Sequence, residues 1–164
     1  MAEEGFFEDE RLELLDGVIL EVTPQGTRHA ATVQRLTDRL AAALGSRASL
    51  RVQLPFAASE TSEPEPDVAV VQIGDYDRAH PGQALLVIEV AESSLEKDRG
   101  VKARIYAAAG VPEYWLVDVV SATIEVRTRP AGDEYSQIRT VRAGERVSLS
   151  AMRDVVIEVA DIVR

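Results

Sequence analysis

The sequence contains no cysteine, which excludes disulfides, zinc–thiolate sites and thiol catalysis. Lysine is almost absent: of the 18 basic residues, 16 are arginine and only Lys97 and Lys102 are lysine. Positive charge as a whole is in deficit. A formal net charge of −10 and a pI near 4.7 offer no general attraction to DNA or to anionic lipid. Any nucleic-acid role must therefore rest on a local site, with a metal ion supplying positive charge. No apolar run approaches the roughly 20 residues of a membrane-spanning helix. The opening MAEEGFFEDE is acidic and has neither the basic nor the apolar part of a secretion signal. The expectation is a soluble, cytoplasmic protein with no membrane partner.

What the sequence does contain is apolar material in quantity. The 164 residues, 46% hydrophobic, suffice for a real core and suit a single domain spanning 1–164, with 1–10 a loose terminus or short helix. RLELLDGVILEV reads as two short strands around Asp16-Gly17, the pair that favours a type I′ hairpin turn. From Thr27 to Gly45, apolar Val33, Leu36, Leu40 and Leu44 recur at steps of three and four, which predicts an amphipathic helix ended by Gly45. SLRVQLPFA is a strand closed by Pro55, ASETSEPEPD an acidic loop, and PDVAVVQI a buried strand. ALLVIEVA is the strongest strand in the chain. ESSLEKDRGVKARIYAAAG is a helix begun at Ser93 or Ser94 and stopped at Gly110. YWLVDV with TIEVRT, then YSQIRTV and RVSLS, complete a β-rich second half, and VVIEVADIV is apolar without a clear period. The expected class is mixed α/β.

Two carboxylates stand out because they interrupt buried strands. Side chains alternate across a strand, so Asp67 shares a face with Ala69 and Val71, and Glu89 shares one with Val87 and Ala91. Both strands are otherwise apolar on both faces, as interior strands under helices are. If they are neighbours, Asp67 and Glu89 converge, and two converged carboxylates hold a proton or a divalent cation. Mg²⁺ suits such a pair, since it takes oxygen ligands and keeps several waters. In the next helix Asp98, Lys102 and Tyr106 stand four residues apart, along one stripe. Lys102 is thereby a candidate cation for phosphodiester chemistry. Against this, an Asp98–Lys102 pair at that spacing is also an ordinary surface pair.

Other polar residues read more plainly. His80 is loop surface, and Ser93-Ser94 are a helix cap with no nucleophile elbow around them. Asp118 ends a strand, Tyr114 and Trp115 pack, with one of them a candidate base-stacking platform. Gln53 is a candidate ligand contact, and Glu60, Glu63 and Glu65 form a solvated loop. There is no phosphate-cradling glycine loop.

Taken in order, ELLDG, PEPDVAVV, LLVIEVAESS and DRGVKARIYAAAGVPEYWLVD resemble the Uma-two family, whose members are proposed endonucleases of the restriction-endonuclease-like PD-(D/E)XK superfamily. The resemblance runs from about Arg11 to Ile162. It implies a restriction-endonuclease-like core: a mixed central sheet flanked by helices, with an antiparallel β-rich C-terminal part. It implies a metal-dependent endodeoxyribonuclease using Mg²⁺ or Mn²⁺, with Asp67 and Glu89 as metal ligands and DNA as substrate. The superfamily lysine belongs two residues after the glutamate, where this chain has Ala91, so Lys102 is expected to replace it as the third catalytic residue. Glu13 and His29, at recurrent polar positions of similar sequences, join Asp98 and Tyr106 as auxiliary residues. A homodimer fits a nuclease that cuts both strands. The alternative is a catalytically lapsed binding or assembly module. Arginines around Glu89, drawn from Arg28, Arg51, Arg99 and Arg104, would favour the enzyme, and an acidic surround the alternative.

Overall fold

The computed structural model describes residues 11–164, so the expectation for 1–10 lies outside the described residues. The chain opens with a hairpin of β1 (Leu12–Leu15) and β2 (Val18–Glu21). Asp16 and Gly17 have φ of 50° and 80°, both positive as a type I′ turn requires, and Leu15 pairs with Val18 across it. Helix α1 (Thr27–Leu44) follows the predicted bounds, burying Val33, Leu36, Leu40 and Leu44.

Six strands then form one mixed sheet: β3 (Ser49–Val52), β4 (Val68–Val71), β5 (Leu86–Ala91), β6 (Glu113–Asp118), β7 (Thr123–Ala131) and β8 (Glu134–Arg142), in that spatial order. Only β5 and β6 are parallel, joined by the helical crossover that a parallel pair requires; the other neighbours are antiparallel. β9 (Arg146–Leu149) and β10 (Met152–Glu158) pair with each other, and a 3₁₀ turn (Val159–Asp161) follows. The last apolar segment is thus a strand running into a helical turn.

Alternation divides the core in two. Val68, Val70, Leu86, Ile88 and Val90 face α1 and the β9–β10 pair. Ala69, Val71, Val87 and Ala91 face the opposite way, against Ala103, Tyr106 and Ala107. Burying both sheet faces is what makes β4 and β5 apolar throughout. It also makes any charge on them conspicuous.

The β5–β6 crossover differs from the single helix expected. It consists of α2 (Leu95–Lys97), a π-helical turn (Asp98–Lys102) and α3 (Ala103–Ala108), ending at Gly110 with φ of 75°. Ser94 occupies the N-cap position without capping through its side chain.

Candidate functional site

β4 and β5 are antiparallel neighbours, with Val68 opposite Ile88 and Ala69 opposite Val87. The same register carries Asp67, one residue ahead of β4, to the position opposite Glu89. Residues directly opposite project from the same face. Because the ladder stops at Val68, the Val90 N–H is free for a side chain, and Asp67 Oδ2 accepts it at 2.8 Å. His29 Nε2 lies 3.1 Å from the same oxygen, and the Gln53 and Gln25 amides approach Oδ1 at 3.4 and 3.5 Å. Gln53, just past β3 with φ of 53°, thus steadies Asp67 from one side while α1 supplies His29 on the other.

Glu89 is met by the crossover. Lys102 Nζ donates to Glu89 Oε1 at 2.9 Å, and the Tyr106 hydroxyl donates to the same oxygen at 2.5 Å. Lys102 Nζ also lies 2.6 Å from Glu13 Oε1, which accepts the Glu65 N–H at 2.9 Å. Lys97 Nζ stands 3.6 Å from the other Glu13 oxygen. The small Ala91 leaves the sheet face open to α3, and the ammonium arrives from the helix. Asp98 accepts a hydrogen bond from Ser94 Oγ instead of pairing directly with Lys102. The surface-pair reading of Asp98 and Lys102 fails: they are only 2% and 4% exposed. Glu13, Asp67, Glu89, Asp98, Lys102 and Tyr106, far apart in the chain, are all buried in one region, with His29 at its edge.

The π turn helps bring this about. It adds backbone between the start of the crossover and α3, and such turns leave carbonyls poorly matched within the helix. Here two consecutive carbonyls are bonded from the sheet: Tyr114 Oη donates to Asp98 O at 2.8 Å, and Arg127 Nη1 donates to Arg99 O at 3.2 Å. Tyr114 and Trp115 are completely buried, so neither can stack on a base. Trp115 Nε1 instead donates to Glu113 at 2.6 Å. Asp118 accepts the Val120 and Ser121 N–H groups, as a strand-end turn residue does. His80 contacts Arg51 away from the site.

The electrostatics follow from burial. Desolvation drives the Glu89 pKa well above the ordinary carboxylate value; Lys102 offsets part of this, while Asp98, Asp67 and Glu13 add repulsion. Asp98 is raised for the same leading reason. Burial acts to deprotonate Lys102, but Glu89, Glu13 and Asp98 more than compensate, and its pKa rises above the ordinary lysine value. Lys102 is therefore a fixed ammonium. Burial also lowers His29, yet the Asp67 hydrogen bond and charge outweigh it and leave the imidazole pKa above 6.5.

These side chains line a cavity of about 370 Å³ with an open mouth. Its lining carries Glu13, Glu65, Asp67, Glu89, Glu92 and Asp98 against Arg11, Lys97 and Lys102. Arg28, Arg51, Arg99 and Arg104 do not line it: they bond to the Val119 carbonyl, Pro55 and His80, Glu125, and Asp16 respectively. Among the described residues, the four arginines that would have favoured the enzyme are not around Glu89, because they find partners elsewhere.

Among the described residues, no three His, Asp or Glu side chains are gathered as a ready metal cage, since the Lys102 ammonium stands between Glu13 and Glu89. The donor set nonetheless fits a hard divalent cation. Both hydrogen bonds to Glu89 fall on Oε1 and none among the described residues falls on Oε2, Asp67 lies opposite, and the cavity has room for water. Sequence reasoning gave no site role to Gln25, Lys97, Glu92 or the Val90 N–H, and read Ser94 as a helix cap where its hydroxyl instead bonds Asp98. Only Ser94–Asp98, at helical spacing, left a sequence signal.

Residues 2–160 match the profile of the Uma2 family, described as "Putative restriction endonuclease", and the chain belongs to that family. Restriction-endonuclease-like proteins generally use divalent metal ions. The fold is similar to the crystal structure of "a putative nuclease belonging to DUF820" from Anabaena variabilis, at 16% sequence identity and a TM-score of 0.73 over 95% of this chain and 91% of that one. No curated protein matches the chain.

Proposed function

We propose that this Uma2 protein hydrolyses DNA phosphodiester bonds with a divalent ion, Mg²⁺ or Mn²⁺, held by Asp67 and Glu89. The observation that carries the reading is the buried Lys102 side chain donating to Glu89 directly across from Asp67. When bound, the metal supplies Lewis-acid polarisation of the phosphodiester and lowers the pKa of water. The chain's own groups supply the rest. Lys102 supplies a positive charge that stabilises negative charge building up on the phosphoryl oxygens. Tyr106 orients Glu89, Glu13 anchors Lys102, Asp98 adds to the field that keeps Lys102 charged, and His29 with the Val90 N–H fixes the Asp67 carboxylate. Cutting both strands of a duplex would engage two copies of the chain.

One observation favours a second reading. The acid-rich cavity lining, without Arg28, Arg51, Arg99 or Arg104, suits a module that keeps the fold and has lost the chemistry. Calorimetric titration of Mg²⁺ or Mn²⁺ into wild type and Glu89→Gln, followed by cleavage assays on varied DNA, separates the two. The nuclease reading expects binding and cleavage in wild type and a severe loss of both in Glu89→Gln. Equal, negligible binding in both proteins would sink the metal site.

A further inference from the structure

A second, smaller cavity of about 200 Å³ touches the first turn of α1, the turn that also carries His29. It contrasts in charge with the Glu89 cavity: its lining includes Arg28, Arg35 and Arg164 and no acidic residue. Seven other arginines are ion-paired, but among the described residues no carboxylate lies within 4.0 Å of these three guanidiniums. Two of them are held in place all the same. Arg28 Nη2 donates to Val119 O at 3.1 Å, Arg35 Nε to Ile162 O at 2.8 Å, and Arg35 Nη2 to Thr32 Oγ1 at 3.0 Å. Those acceptors are neutral, so each guanidinium is oriented while its charge stays uncompensated and several N–H donors stay available. The first turn of α1 contains no acid, so its helix dipole adds to the same positive field.

In a chain of net charge −10, three arginines that line one hollow without an ion-pair partner among the described residues need a physical reason. Planar, fixed guanidiniums match the oxygens of a phosphodiester, which they bind with two parallel N–H donors. We infer that the Arg28–Arg35–Arg164 hollow seats the phosphodiester backbone of the nucleic acid and presents the strand to the Glu89 cavity along the shared first turn of α1. This rests on the nuclease reading for the identity of the strand. It also accounts for where the missing positive charge resides: the acidic cavity takes the cation, and the cationic hollow beside it takes the phosphates. Phosphate contacts of this kind position a strand without reading its sequence.

The test is equilibrium binding of a short DNA duplex and of single-stranded DNA across a salt series, in chelator so that no cleavage occurs. Wild type is compared with Arg28→Gln/Arg164→Gln, both exposed positions, and with Arg35→Gln. Arg142→Gln/Arg153→Gln, exposed on β8 and β10, is the charge-matched control. The expected result is weaker binding by the hollow variants, with a log–log salt slope on duplex DNA shallower by about 0.9 for each phosphate no longer neutralised. The control should bind as wild type. Thermal unfolding identifies any misfolded variant, and Arg28→Lys, which keeps the charge, should restore the slope but only part of the affinity. Equal weakening in the control, or an unchanged slope in the hollow variants, overturns the inference. So does displacement of DNA by low inorganic phosphate at constant ionic strength, which would mark a free-anion site, and so does failure of wild type to bind DNA at all. Wild-type binding that depends on the hollow without any metal-dependent cleavage would instead overturn the nuclease reading and leave the docking site standing.

Discussion

Replacing Lys102 by methionine removes one positive charge from between two buried carboxylates while keeping most of the side-chain volume. At 2.9 Å, and with an effective dielectric constant of about 20, one such pair is worth about 6 kcal/mol of gross attraction. The second ion pair, to Glu13 at 2.6 Å, is of similar size. Against these stand the cost of burying the ammonium and the repulsion between Glu13 and Glu89, so the net loss should match that of breaking a buried pair, about 3–5 kcal/mol. The loss should depend on pH, and the sign is definite. Glu89 already has a raised pKa from desolvation, and removing Lys102 raises it further. A carboxyl whose folded pKa exceeds its unfolded value is less destabilising once protonated, so the variant recovers stability as pH falls through that raised pKa. Lys102 itself stays protonated below the ordinary lysine pKa, so the pH dependence of the deficit comes from Glu89, which protonates at a higher pH in the variant than in wild type. Urea denaturation in chelator, at about pH 8 and about pH 5, should therefore show a deficit that is large in the first condition and clearly smaller in the second. Adding Glu89→Gln to the methionine variant should restore part of the stability at the higher pH. A deficit under about 1 kcal/mol, or one equal at both pH values, would refute the claim that Lys102 neutralises buried charge.

Tyr114→Phe leaves the Asp98 carbonyl of the π turn without its buried donor and should cost about 1–3 kcal/mol, with faster amide exchange over residues 98–102 than over α1. By NMR titration in chelator, His29 should titrate above 6.5 in wild type and lower in Asp67→Asn; its stabilising contribution is present below 6.5 and fades as pH rises through the folded pKa. Gly17→Ala should cost about 1 kcal/mol by thermal unfolding, because φ is 80° there while a Cβ would meet no other atom. A larger loss would mean that the hairpin turn carries more than backbone strain.

Much of the fold was legible because its signals are local. The α1 spacing, the Asp16-Gly17 turn and the apolar runs of β4 and β5 each announce their element. The two acids were legible for the same reason, since a carboxylate in an apolar strand has few innocent explanations. The π turn was not, because the sequence DRGVK satisfies a plain helix and the turn's carbonyl partners, Tyr114 and Arg127, are 16 and 28 residues away. Where the arginines fall was not legible for a similar cause. Charge is visible in a sequence, but whether Arg99 meets Glu125 or Arg104 meets Asp16 is decided by chain crossings that periodicity does not encode.

Glu13 reaches Lys102 from a two-stranded hairpin that is outside the six-stranded sheet and tied to the rest through the loop at Thr61 to Glu65 and through ion pairs to Lys97, Lys102 and Arg104. The ammonium thus draws one of its carboxylates from the sheet and the other from a separate piece of chain. The charge balance of the cavity is therefore complete only when hairpin, crossover and sheet are assembled together.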